Sequence, residues 1–212
     1  MKSSEIRAKD GTKLEYKIWP GNASSGPAPR IVLLHSLAMD HRFWLPFIEK
    51  LDGAAEVLAV DCRGHGASQK PPGPYTVELF ANDLAEVMDD AGWSKALVAG
   101  CSMGGCVALA FAASYPDRVE ALGLIDTTAY YGDDAPKAWE ERAQKALEGG
   151  MEKLIGFQKS RWFGDAFREA NTDVVEAAIA VFLANDIPAY AETCRMLGAC
   201  DVRAAMPSFN VP

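Results

Sequence analysis

Four short, unbroken apolar runs punctuate the first 125 residues of this chain: 30–35 (RIVLLH), 57–60 (VLAV), 96–99 (ALVA) and 119–125 (VEALGLI). Runs of this length without polar alternation read as strands buried on both faces, as in a central parallel sheet. Residues 13–19 alternate instead, with Leu14, Tyr16 and Ile18 on one side, the period of a half-buried strand. Between the runs the period changes. Leu79, Phe80, Leu84, Val87 and Met88 recur at helical spacing within 77–91, and 107–113 continues a second helix. Strand and helix in alternation predict an α/β fold with a mostly parallel central sheet. The Pro/Gly/Ser-rich stretch 20–29 reads as a loop joining two strands.

From Tyr130 the strand runs stop. Residues 136–148, 151–163, 172–184 and 187–197 all have helical patterns. Four consecutive helices break the alternation and read as a cap inserted over one end of the sheet. The chain divides accordingly into the first part of a core (1–129), a helical cap (130–200) and a return towards the core (201–212). No internal repeat or low-complexity tract is present.

Composition narrows the function classes. The 212 residues are 49% hydrophobic and 24% charged, an ordinary balance for one globular domain. The net charge of -8 repels phosphate backbones, so no nucleic-acid partner is expected. Five cysteines, an odd number without C-x-x-C spacing, argue against a disulfide framework and a zinc site. The polar start lacks the apolar core of a signal peptide, and no apolar run reaches the ~20 residues of a membrane helix. A cytoplasmic protein without a membrane partner is expected. Neither a phosphate-binding loop nor a dinucleotide fingerprint is present, so no cofactor and no metal are expected.

The candidate chemistry centres on Gly100-Cys101-Ser102-Met103-Gly104, a G-x-S-x-G element between a strand run and a helix. Such a turn is tight enough to strain the serine backbone, and residues without Cβ are needed on its flanks. It exposes the serine Oγ at the carboxyl end of the sheet, beside a helix N-terminus that favours developing negative charge. Ser102 is the candidate nucleophile. Cys101 precedes the tip and reads as a buried, inert thiol; Cys106 reads as core. His35-Ser36-Leu37 ends the first buried strand, and Asp61-Cys62-Arg63-Gly64-His65-Gly66 follows the second. His35 and His65 read as structural hydrogen-bonding groups, Asp61 and Arg63 as internal pins of their loop, and His41 as a surface or helix-cap residue.

Together HSLAMDHRFW (35–44), DCRGHGAS (61–68) and GCSMGG (100–105) resemble the α/β-hydrolase superfamily. Within the helical stretch, residues 139–142, 161–163 and YAETCRMLGACD (190–201) are similar to the cap of its 3-oxoadipate enol-lactonase branch. The resemblance implies the α/β-hydrolase fold and a serine, acid and histidine triad in that chain order. It implies Leu37 and Met103 backbone amides as the oxyanion hole. The implied substrate is a small carboxylic ester or lactone, with an enol-lactone favoured. The cap would close a pocket lined by aromatics such as Trp44, Trp139 and Trp162, and Arg142, Arg161 or Arg195 could meet a substrate carboxylate.

The chain departs from this pattern in one respect. Its three histidines, His35, His41 and His65, all precede Ser102. Asp126 occupies a position some superfamily members use for the acid, but Asp126-Thr127-Thr128 also suits a strand-to-helix turn and reads as structural. The triad histidine and acid are therefore expected from a C-terminal segment of about two strand-helix units, or ~50 residues. That segment is expected as a separate chain of the same protein or as a tail beyond residue 212, ahead of a third reading in which the product ends at 212 as an inactive or unstable protein; the 212-residue chain is expected to be inactive alone. Two other readings remain open. One is a cofactor-free perhydrolase or carbon–carbon bond hydrolase on the same fold; the other is a non-catalytic ligand-binding protein.

Overall fold

Six strands form one sheet: β1 (Lys2–Arg7), β2 (Lys13–Trp19), β3 (Arg30–Leu34), β4 (Glu56–Asp61), β5 (Ala96–Cys101) and β6 (Val119–Ile125). In this computed structural model residues 1–22 and 28–212 are described, so the middle of the expected 20–29 loop lies outside the described residues. The spatial order is β1-β2-β4-β3-β5-β6. β1 pairs antiparallel with β2 and β2 with β4, whereas β4, β3, β5 and β6 are mutually parallel.

The unbroken apolar runs are the parallel strands, but 119–125, expected to be buried on both faces, is buried only at Val119 because it ends the sheet. Side chains alternate across the sheet, so Val32, Leu34 and Val98 face one cluster while Leu33, Ala59 and Ala99 face another. The larger cluster takes in α2 (Val77–Asp90) and α3 (Met103–Ser114); the smaller one takes in Ile48 of α1 (Leu45–Leu51). α2 is fixed at its start by Thr76, whose hydroxyl accepts from the Leu79 amide. β1 is a strand that hydrophobic patterning does not reveal. Its residues are mostly exposed and only Ile6 leans on the core, because a polar edge strand is held by backbone pairing to β2.

The helical stretch contains five helices rather than four: α4 (Ala135–Gly149), α5 (Ile155–Trp162), α6 (Asp165–Ala170), α7 (Thr172–Leu183) and α8 (Ile187–Ala199). The run expected as one helix over 151–163 is a 3-10 turn, Met151–Leu154, followed by α5. The six-residue α6 is too short to show a period. α4 packs along α8, and a bridge between Tyr130 and Asp201 ties together the two ends of the helical stretch. No single helix among the described residues is long and apolar enough to cross a membrane. β6 forms one edge of the sheet; Leu124 and Ile125 near its end are about two-fifths exposed.

Candidate active site

Ser102 stands between β5 and α3 with backbone angles φ 51 and ψ -113. A positive φ brings an L-residue's Cβ against its own backbone, so a neighbourhood must hold it there. The Ser102 amide donates to Ile125 O at 2.9 Å, and its carbonyl accepts from Gly105 N, Cys106 N and Thr127 Oγ1. The flanking glycines leave no room for a side chain. A Cβ on Gly100 would lie 2.1 Å from Gly104 O, and one on Gly104 would lie 2.2 Å from Leu34 O and 2.8 Å from His35 O. The second contact also shows that the end of β3 abuts the start of α3. The loop after His35 and the first turn of α3 are thereby neighbours.

That juxtaposition brings together the two expected oxyanion donors. Leu37 and Met103 are both buried, and neither backbone amide has an acceptor among the described residues. The chain turns sharply after His35, with the Met39 amide donating to Ser36 O at 3.1 Å and Ala38 at φ 62.

The histidines are all engaged below or beside this turn. His35 is fully buried; its Nδ1 meets Ser36 O at 2.8 Å and its Nε2 accepts from the Cys62 amide at 3.0 Å. Burial lowers its pKa. His65 bonds Arg63 O through Nδ1, and its Nε2 has no partner among the described residues. Burial pushes its pKa down to about 3. Both therefore have the structural placements expected of them.

His41 opens a 3-10 turn, His41–Trp44, in keeping with the helix-start alternative, but it is half-buried rather than a surface group. Its backbone amide and its Nδ1 both reach Asp61 Oδ1 at 2.8 Å. Asp61 also receives the Ala67 amide, and with these donors offsetting its burial its carboxyl stays well below the usual carboxylate range. Arg63, expected to pin its own loop, instead reaches outward. It forks onto buried Asp83 with two 2.6 Å bonds and pairs with Asp10.

Asp40, His41 and Asp61 bring their ligand atoms close enough for a metal ion. Protein groups already hold them, however: Asp40 is forked by Arg42 and Asp61 is bound by His41 and Ala67. They line a cavity of about 430 Å³ between this part of the core and the α7 end, with Val181, Ala184 and Asn185 on the cap side. Ser102 is not on its wall.

The expected aromatic lining separates into three places. Trp139 packs edge-on against Tyr131 at 5.3 Å, and the Tyr131 hydroxyl lies 3.8 Å from Cys106 Sγ in the first turn of the helix that Ser102 begins. Tyr131 is a site residue that sequence reading missed, because nothing in its local pattern marks it. Trp162 lies against Phe182 within the cap, and Trp44 packs with Leu33, Ile48 and Val57 on the opposite face of the sheet from α3. Of the candidate arginines, Arg195 is bound by Glu140 and Glu192, and Arg142 donates to Tyr190 and Gln158 while lying over the Trp139 ring. Arg161 lies 6.0 Å from the Phe157 ring centre.

Cys101 is half-buried, with its thiol pushed up to about 11 by burial. Cys106 is buried but not merely apolar. A hydrogen bond from Cys200 lowers its thiol pKa, and Thr127, Thr128 O and Tyr131 also lie within reach. Asp126 is exposed at the end of β6 and has a left-handed φ of 44.

A strained serine between a parallel strand and a helix, beside two unpaired amides, is the arrangement of the α/β-hydrolase fold. The chain belongs to that family, whose sequence pattern matches residues 29–179. Among its relatives, it is 29% identical to the 3-oxoadipate enol-lactonase 2 of Acinetobacter baylyi over 184 residues, which cover 87% of this chain and 68% of that protein. The 3-oxoadipate enol-lactonase 1 of the same organism is 30% identical over 190 residues, covering 89% of this chain and 70% of its own length. The crystal structure of the enol-lactonase from Burkholderia xenovorans LB400 superposes with a TM-score of 0.91 at 37% identity, over 99% of this chain and 78% of that one.

Proposed function

We propose that this chain carries the nucleophile of a hydrolase of carboxylic esters or lactones, with an enol-lactone as the favoured substrate class. Ser102 Oγ attacks the carbonyl carbon as a histidine takes its proton. The carbonyl oxygen, now an oxyanion, is received by the Leu37 and Met103 amides. Collapse expels the alkoxide or enolate, which takes the proton from that histidine, and leaves an acyl group on Ser102. Water, deprotonated by the same histidine, then releases the carboxylic acid. The observation that carries this reading is Ser102 itself, held at φ 51 between glycines packed too tightly for any Cβ.

The general base and its orienting acid come from polypeptide other than the described residues, either a continuation of the chain or a separate chain packed along β6. His35 and His41 are bound elsewhere, and His65 is buried and too weak a base. The edge position of β6 and the exposed Leu124 and Ile125 suit a further strand.

Fluorophosphonate labelling read by intact mass tests the proposal. The completed protein is expected to label at Ser102. Ser102→Ala should abolish labelling and lower turnover by at least about 10⁴-fold. The 212-residue chain alone should show negligible turnover. Ordinary ester hydrolysis by the chain alone, lost in Ser102→Ala, would refute the external base. Tight ligand binding by a completed protein that never labels would make it a non-catalytic binding protein instead.

A further inference from the structure

The turn that presents Leu37 is held from the cap. Ser36, Leu37, Ala38 and Met39 form a four-residue turn closed by the Met39 amide on Ser36 O, with Ala38 at φ 62 in the third position. A turn with positive φ there ordinarily calls for glycine, so the alanine Cβ makes it unfavourable. Ala38 is fully buried, and its carbonyl needs a donor. Asn185, 147 residues away between α7 and α8, supplies it: Asn185 Nδ2 lies 2.9 Å from Ala38 O. The same nitrogen is 3.0 Å from Val181 O and Phe182 O, so the amide is oriented by the end of α7. Phe182 is itself buried between Trp162 and Tyr190, which anchors that helix end in the cap.

The consequence reaches the oxyanion hole through one peptide plane. The C=O of Ser36 and the N–H of Leu37 belong to the same planar unit and point in opposite directions. Ser36 O is fixed by the Met39 amide and by His35 Nδ1. The Met39 N–H that makes the first of these shares a peptide plane with Ala38 O, so a donor on Ala38 O orients that bond too.

We propose that Asn185 is a positioning residue: by holding Ala38 O it keeps the Ser36–Met39 turn in the form that aims the Leu37 amide at the site beside Ser102. Seating of the cap thereby sets the geometry of the oxyanion hole. The catalytic half of this inference rests on Ser102 being the nucleophile; the clamp on the turn does not.

Two measurements test it separately. Hydrogen exchange of the Met39 amide in the 212-residue chain reads the turn without turnover. Asn185→Ala should speed it about tenfold or more, and adding Ala38→Gly, which removes the Cβ conflict, should slow it again. In the completed enzyme Asn185→Ala should lower kcat about tenfold with KM changed less than about twofold, and Ala38→Gly in that background should restore most of the loss. A variant that merely loosens the cap would raise KM and would not be rescued from the core side. Unchanged Met39 exchange overturns the clamp, whether or not Ser102 reacts. Normal kcat in Asn185→Ala, or no rescue, overturns its catalytic role. Faster exchange in a wild-type background that never labels at Ser102 overturns the nucleophile reading and with it that role, but not the clamp.

Discussion

Gly104→Ala is the substitution whose effect the geometry fixes most tightly. The added Cβ would lie 2.2 Å from Leu34 O, 2.6 Å from Leu34 C and 2.8 Å from His35 O. Carbon contacts settle near ~3.5 Å, so the nearest is roughly 1.3 Å too close. Every one of these atoms is backbone at the end of β3, where Leu34 pairs with both β4 and β5. No side chain can rotate away to make space. Relief requires α3 to slide off the sheet, and α3 is buried along nearly its whole length. Overpacking where neighbours can adjust costs about 1–3 kcal/mol, and here they cannot, so about 3–4 kcal/mol is expected. For a domain of this size that lowers Tm by about 10 °C. Urea unfolding followed by circular dichroism measures it. Gly156→Ala serves as the control: nothing lies within 4 Å of its Cβ and it sits inside α5, so it should be neutral or stabilising by about 0.5–1 kcal/mol. If Gly104→Ala were within about 0.5 kcal/mol of the wild type, the packing argument for the elbow would fail.

Other consequences concern acid and the buried ion pair. His65 has its folded pKa pushed down to about 3 from 6.5, so the unfolded chain binds its proton first as pH falls. Stability is then complete above about pH 6.5 and declines below it, by about 2 kcal/mol between pH 7 and pH 5 from this residue. Buried His35 is shifted in the same direction and adds to the loss. A urea midpoint that stayed level from pH 7 to pH 5 would contradict this. Arg63→Ala leaves Asp83 buried without its forked partner and should destabilise by about 3–5 kcal/mol. Chemical denaturation of that variant beside Asp83→Asn checks it, and a loss under 1 kcal/mol in Arg63→Ala would show that solvent reaches the carboxylate.

The parallel core was legible in the residues alone. Strands buried on both faces must be apolar throughout, so 30–34, 57–60 and 96–99 announced themselves; 119–125 is as apolar but lies part-exposed at the sheet edge, and Gly100 and Gly104 marked the elbow because no other residue fits there. Elements held by backbone pairing or too short for a period left no such trace, as with polar β1 and six-residue α6. Which distant groups meet depends on how the folded chain brings its segments together. Local pattern carries no information about a contact across 147 residues, so Asn185 on Ala38 O was invisible, as were Tyr131 beside Cys106 and His41 on Asp61. The same holds for the three tryptophans, alike in sequence as bulky apolar positions. Their separation into the cap interior, the Tyr131 contact and the far face of the sheet was set by the path of the chain between them.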